Sequence, residues 1–335
     1  MTASAVVVGA GAVGARAARQ LVGSATFDSV LVVDASPARA EATAHSLGAP
    51  ARAVAWPSAL SPGVVVVVLA VPGDHRSLAT EALDAGAGVV SCSSSGPVVE
   101  RLLGCDEVAR RAGRPLVVGA GFTPGLSCLL ARHAAEGLDH VDEIRVARVG
   151  IGGPACARES AEAWESGGRD WRDGAWVESG QGRRGTLMWF PDPLGGRDCY
   201  PAAVGEAALL VQAFPGIRRV SARVAVSRQE RLLRRLPMVR RPSAEGLLGG
   251  VRVEVRGRRG PATDSVVFGA LDRPALAAGI VAGVTAVWVA SGRINTPAAA
   301  GLATLLPEPL PMLQELARRG VRAATFEGAD AERAS

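Results

Sequence analysis

The apolar run Val6-Val7-Val8 is followed at once by Gly9, Gly11 and Gly14, and then by a helix-compatible stretch over 15–22. Three glycines at the spacing G-x-G-x-x-G, set between a strand and a helix, leave few folds open. Gly9 permits the tight turn, Gly11 lets the backbone approach a bound phosphate, and Gly14 lets helix and strand pack closely. The helix that starts there offers free N–H groups and the positive end of its dipole to an anion. A second apolar strand, Val30-Leu31-Val32-Val33, then delivers Asp34 about 20 residues past the motif, where an acid holds the ribose of a dinucleotide. The expected contacts are Gly9, Gly11, Ala12, Val13 and Gly14 around a pyrophosphate, with Asp34 at the adenosine ribose. A carboxylate there repels a 2′-phosphate and favours NAD. Ser36 and Arg39, just beyond, could grip that phosphate instead, which keeps NADP open.

Strands and helices alternate through the first third, as a Rossmann-type, doubly wound parallel sheet requires. After the first two strands, further ones are expected over 51–55, 64–71, 89–92 and 115–118, with helices over 74–85 and 97–112. The stretch 64–71 is continuously apolar, the mark of a central parallel strand covered on both faces. The loops that leave the fourth and fifth strands lie near the expected nicotinamide. Ala70, Val71, Pro72 and Ser94 are therefore further candidate cofactor contacts. His75 is the histidine of that ring of loops, and its titration range suits proton transfer near neutrality. The plain alternative is a surface histidine that starts a helix. Cys92 lacks a paired base and is read as a small core residue.

Behind the sixth strand stands Gly119-Ala120-Gly121-Phe122-Thr123-Pro124-Gly125-Leu126-Ser127. Thr123 is placed to be an N-cap and Pro124 the first residue of a helix running to 136. Thr123 and Gly125 would then face the crevice in which such sheets bind ligands, and are candidate substrate contacts. From about 139 the pattern changes to alternating strands over 143–151, 176–179, 186–190, 218–228, 251–256 and 264–269, with one helix over 206–214. This predicts a second, α+β domain on a mainly antiparallel sheet. Its arginines Arg148, Arg183 and Arg197 are candidates to hold a substrate carboxylate. The basic run 231–241 reads as a solvated loop or a partner-facing rim. Past 272 the chain turns helical again, over 274–291 and 309–319, with a last short strand near 321–326. The division expected is 1–138, 139–271 and 272–335, the last part returning to the first.

Composition narrows the chemistry. All 37 basic residues are arginine, so no lysine can form a Schiff base or act as acid or base. The net charge is +5, but one tyrosine and 4% aromatic content leave little for base stacking, and nucleic-acid binding is not expected. The 5 cysteines show no C-x-x-C pair and predict neither a metal site nor a disulfide framework. No basic segment precedes the first apolar run as in a signal peptide, so a reduced, cytoplasmic setting is expected. The uncharged segment 274–291 opens on Pro274, closes on Ser291 and carries Gly279-x-x-x-Gly283. Its alanine and glycine content fits a closely packed buried helix better than a membrane span.

The blocks VVVGAGAVG at 6–14, VGAGFTPGLS at 118–127, AGIVAGVTAVWVASGRINTP at 278–297 and MLQELARRGV at 312–321 together resemble the saccharopine dehydrogenase-like oxidoreductases, and among them the bacterial relatives with an NAD(P)-binding domain. The resemblance spans nearly the whole chain. It implies a Rossmann domain, an α+β domain carrying substrate contacts and often a dimer interface, and hydride transfer at a carbon bonded to nitrogen in a small amino-acid-like or imine substrate. A homodimer is the assembly it implies. The lysine-forming branch uses a lysine that this chain lacks, and so lies outside the resemblance. The alternative is a catalytically silent NAD(P)-binding sensor or scaffold, motivated by the want of an evident acid/base pair.

Overall fold

The computed structural model describes residues 3–179, 185–226 and 246–325. Its first sheet is parallel throughout and contains β1 (Ser4–Val8), β2 (Ser29–Val33), β3 (Ala51–Ala53), β4 (Val64–Leu69), β5 (Gly88–Ser91) and β6 (Leu116–Val117). In space these run β6-β5-β4-β1-β2-β3, with β15 (Ala299–Ala300) added outside β6 as a seventh strand. Six strands were expected from the first third alone. The seventh comes from nearly 200 residues downstream, where Ala299 and Ala300 are too short a stretch to declare itself. The valines of β1, β2 and β4 are almost all fully buried because helices cover both faces of the sheet.

Those helices are α1 (Ala12–Gly23), α2 (Pro37–Leu47), α3 (Arg76–Asp84), α4 (Gly96–Leu103) and α5 (Asp106–Ala112). The single helix expected over 97–112 is thus two, broken at Gly104 and Cys105. The second is held by Asp106, whose carboxylate accepts the Ala299 N–H at 2.9 Å and so ties it to β15.

α6 (Leu126–Ala135) leads into the second sheet, whose path is β10 (Thr186–Phe190), β11 (Gly195–Pro201), β12 (Arg219–Ala225), β7 (His140–Val149), β13 (Gly249–Arg259), β14 (Ala262–Asp272) and β16 (Arg322–Thr325). β12 and β7 pair in parallel and the other neighbours on this path are antiparallel, which makes a mostly antiparallel mixed sheet. β8 (Gly168–Arg172) and β9 (Ala175–Ser179) form a hairpin that attaches to β12. The strands expected over 176–179 and 186–190 flank the undescribed 180–184 but do not pair with each other. Each takes its partner from its other side in sequence. The basic run 231–241 and Arg183 lie outside the described residues.

Two helices accompany this sheet, α7 (Pro154–Glu165) and α8 (Glu206–Ala213). The first was not expected, yet its opening Gly153-Pro154 places proline at the first helical position. α9 (Pro274–Ala290) then crosses back onto the first sheet, followed by α10 (Leu302–Leu305) and α11 (Leu310–Arg318). α9 is apolar all round because it is buried all round. Gly279 and Gly283 let its backbone meet α1 so closely that a Cβ on Gly279 would lie 2.7 Å from the Val13 carbonyl oxygen. Among the described residues no helix is long and apolar enough to cross a membrane. One continuous apolar core runs from the first sheet through α6 to Ile144, Val146, Val251, Val253 and Val255 of the second.

Candidate active site at the carboxyl edge of the first sheet

The glycine motif folds as its spacing predicts. Gly9 ends β1 at φ +105°, and a Cβ there would stand 2.5 Å from the Ala70 carbonyl oxygen. A Cβ on Gly14 would overlap the Gly9 carbonyl oxygen outright. Gly11 differs from both: it is the N-cap of α1, and nothing lies within 4 Å of where its Cβ would be. No side chain caps this helix, which leaves its first N–H groups without a side-chain acceptor. The residues therefore fit a dinucleotide, whose pyrophosphate Gly11, Ala12 and Val13 would hold.

Asp34 leaves the end of β2 with its side chain 8% exposed. One carboxylate oxygen accepts the Ala10 N–H and the other the Ser36 N–H, each at 2.8 Å, so the acid also braces the glycine loop. Arg39 reaches it at 3.5 Å. Ser36, the N-cap of α2, and Arg39 thus both lie against Asp34.

The loop after β4 carries Ala70, whose N–H returns to the Val8 carbonyl at 2.8 Å, then Val71, Pro72 and Gly73. His75 stands at its end and is not on the surface: it is 1% exposed. Its Nε2 lies 2.7 Å from the Val71 carbonyl oxygen and its Nδ1 2.9 Å from Ser91 Oγ. A carbonyl only accepts, so Nε2 carries the proton and Nδ1 accepts from the Ser91 hydroxyl. Burial lowers the ring's proton affinity, against the pull of Val71 and Asp74. The neutral ring ties the β4 loop to the end of β5, and both its nitrogens are spent in doing so. Burial likewise pushes the Cys92 thiol up to about 12, with Cys156 adding to the rise. Ser94 is half-buried and its carbonyl accepts the Gly205 N–H at 3.0 Å, which locks the β5 loop to the start of α8.

Thr123 and Pro124 do not start α6. Gly125, at φ +127°, is the N-cap and Leu126 the first helical residue. The reason is a loop closed on itself: Gly121 donates to the Pro124 carbonyl at 2.8 Å, and Leu126 to the Gly121 carbonyl at 3.0 Å. Thr123 is thereby freed from capping and meets the second sheet. Arg148, on β7, points its Nη1 at Thr123 Oγ1 (3.4 Å) and its Nη2 at Ser160 Oγ on α7 (3.2 Å). Its Nε is buried without a partner, and among the described residues no carboxylate lies within ion-pair distance of it. A guanidinium so held has donors aimed where the two sheets meet and no anion to receive them. Arg197, by contrast, is exposed on β11 and turned onto the Gly196 carbonyl at 3.3 Å.

Around Arg148 lie groups that sequence reasoning missed. Glu206, the first residue of α8, is 1% exposed with one carboxylate oxygen unpartnered. Burial raises its carboxyl above the ordinary range, with Arg148 opposing. Elsewhere, in the first turn of α6, Ser127 Oγ is another buried atom without a hydrogen-bond partner among the described residues. α7 adds Ser160 and Glu159. The signal for α7 was the Gly153-Pro154 start ahead of alanines and glutamates, but nothing local says that it lies against the first sheet. Between α7 and the loops after β4 and β5 is an open cleft of about 540 Å³, lined by Pro72, Gly73, Ser95, Arg158, Glu159 and Glu162 among others.

Residues 3–122 match the model of the GFO/IDH/MocA group, described as an oxidoreductase family with an NAD-binding Rossmann fold. The chain is an NAD(P)-dependent oxidoreductase by class. Its fold is similar over nearly its whole length to apo saccharopine dehydrogenase (L-Glu forming) from Saccharomyces cerevisiae, with 14% identity and a TM-score of 0.69, covering 97% of this chain and 100% of that one. An engineered D-amino acid dehydrogenase bound to NADP+ matches at 14% identity and a TM-score of 0.50, covering 94% of this chain and 99% of that one.

Proposed function

We propose that the chain transfers hydride at a carbon bonded to nitrogen in a small, anionic, amino-acid-like or imine substrate. The observation that carries this reading is Arg148, a half-buried guanidinium with no carboxylate at ion-pair distance among the described residues, bonded to Thr123 at the end of the first sheet. It is placed to take a substrate carboxylate. A bound nicotinamide dinucleotide supplies the hydride or accepts it. The chain's own residues do the rest. Gly11, Ala12 and Val13 hold the pyrophosphate, Asp34 the ribose, and the loop Ala70–Pro72 with Ser94 flanks the ring. Gly125 sets the turn that brings Thr123 to Arg148. His75 acts in this reading as a positioning residue that fixes the β4 loop.

Asp34 favours NAD over NADP, and comparing the two affinities tests it: tighter binding of NADP would assign Ser36 and Arg39 to the 2′-phosphate. The resemblance to the saccharopine dehydrogenase-like branch without a catalytic lysine belongs to the same proposal, as do a cytoplasmic setting and the division 1–138, 139–271 and 272–335. So does a homodimer, which exposed Leu187 and Trp189 on the outer strand β10 support and light scattering would check. The test of function is a screen of glyoxylate, pyruvate and 2-oxoglutarate, each with ammonium, and of α-amino acids in the reverse direction, read at the absorbance of the reduced nicotinamide. Tight cofactor binding with no turnover across the panel, and equal silence with hydroxy acids, would favour the sensor reading.

A further inference from the structure

Among the described residues, the loops at the first sheet's carboxyl edge offer no free group to move a proton. The chain has no lysine, both His75 nitrogens are spent, Cys92 is held protonated, and Glu206 is sealed away. α7 supplies what is missing. Glu159 is half-buried on the wall of the 540 Å³ cleft, opposite Pro72 and Gly73 of the β4 loop. Gly73 lines the same cleft, and its backbone N–H is among the groups that hold the Glu159 carboxyl down. The residue beside it in sequence, Ser160, is the one that Arg148 holds at 3.2 Å. Glu159 thus shares the cleft wall with the loop that would flank the nicotinamide, and stands next in sequence to the serine that Arg148 contacts.

We propose that Glu159 is the proton donor and acceptor of this site, serving the nitrogen of a substrate whose carboxylate Arg148 and Thr123 hold. The proposal rests on the functional reading above. In the reductive direction the carbon of a C=N bond takes hydride, two electrons and all, from the reduced nicotinamide. The nitrogen takes the proton of the Glu159 carboxyl, and the carboxylate left behind is reprotonated from water in the open cleft. In the oxidative direction the carboxylate accepts the proton as the amine becomes the imine. The group is suited to both. Burial raises its carboxyl, while the Gly73 N–H and Arg148 hold it down and the net shift is upward; Glu162, Arg158 and Cys156 are the other charged or titratable groups that face it from α7.

The test uses Glu159→Gln and, as the conservative rescue, Glu159→Asp. The first readout is binding alone. The nicotinamide is cationic when oxidised and neutral when reduced, so a carboxylate beside it favours NAD+. Tryptophan fluorescence titrations of the wild type with NAD+ and NADH should show the affinity ratio moving toward NAD+ by about tenfold between pH 5 and pH 9. In Glu159→Gln the ratio should not move. In whichever reaction the screen above reveals, Glu159→Gln should lower kcat about 100-fold or more with KM little changed, and Glu159→Asp should recover part of it. A pH-dependent ratio that survives in Glu159→Gln, or an unaltered kcat, overturns the proposal while leaving the oxidoreductase reading intact. A wild type that binds neither NAD+ nor NADH sinks both, and melting temperature checks that each variant is folded.

Discussion

Gly11 and Gly14 belong to one motif, but the structure separates their jobs, and a pair of alanine substitutions should separate them in solution. At Gly11 the backbone is extended, φ −77° and ψ −173°, a conformation open to alanine, and the added methyl meets no protein atom within 4 Å. Removing a glycine stiffens the unfolded chain, which stabilises by roughly 0.4–1 kcal/mol. Alanine is the poorer N-cap by a comparable several tenths or more. The two offset, and Gly11→Ala should leave the melting temperature of the free protein within a degree or two of wild type. The methyl instead enters the cradle that the pyrophosphate needs. Each hydrogen bond to a charged group lost there costs about 1.5–3 kcal/mol, and each 1.4 kcal/mol is a factor of ten. Calorimetric titration with NAD+ should therefore show Kd weakened about 10- to 100-fold. Gly14→Ala should behave in the opposite way. Its methyl would overlap the Gly9 carbonyl oxygen and press on the Ala70 side chain at 3.3 Å, so α1 must lift from β1. A loss of about 3 kcal/mol, the upper range for overpacking, is expected, with a lower melting temperature even without cofactor. A Gly11→Ala protein that binds NAD+ as tightly as wild type would refute the placement of the pyrophosphate. One that melts as early as Gly14→Ala would refute the claim that Gly11 serves the ligand alone.

Gly279→Ala and Gly283→Ala should each lower stability by about 1–2 kcal/mol in urea titrations, because the new Cβ would stand 2.6 Å from the Arg16 Cβ or 2.5 Å from the Gln20 Cβ; unchanged midpoints would mean that α1 and α9 can part at no cost. Arg148→Met should raise KM for an anionic substrate about 10- to 100-fold and leave NAD+ affinity alone, measured by initial rates and fluorescence titration; an unaltered KM would remove Arg148 from the site. Glu206 predicts a pH effect. Its carboxyl is raised in the folded protein above its ordinary 4.5, with burial as the main cause. As pH rises past 4.5 the unfolded chain gives up this proton first, so stability contributed by the site falls with rising pH until the buried group ionises too. Denaturation at pH 5 and pH 8 should show that fall in the wild type and a smaller one in Glu206→Gln; equal slopes would show that Glu206 is not held protonated.

Much of the first sheet could be read locally, since parallel strands buried on both faces are continuous apolar runs and the motif glycines sit at set distances from them. The same holds for α9, whose composition declared burial before any partner was known. The second sheet was legible as strands but not in its pairing. The parallel contact of β12 with β7, nearly 80 residues apart, is chosen by which faces the core can bury, and local alternation says nothing of that. His75 starts α3 as a helix-opening residue should, but it is buried rather than on the surface. Its position after a strand is equally that of a helix-starting surface residue and of a buried bridge, and only the approach of Ser91 and the Val71 carbonyl decided between them.

The cofactor-binding half is legible locally, because a G-x-G-x-x-G turn, a following helix and Asp34 act through backbone geometry encoded within about 30 residues. Thr123, Gly125 and Arg148 could be nominated from the sequence as substrate contacts, but which groups stand around them was decided by tertiary structure. Arg148, Ser160, Glu159 and Glu206 are ordinary residues of a strand and two helices, no different in type from many others in the chain. Arg148 and Thr123 come together because Gly125 turns the chain at Thr123 and the second sheet carries Arg148 to it. The burial that unpairs Arg148 and raises the two carboxyls exists only once both sheets have closed on them.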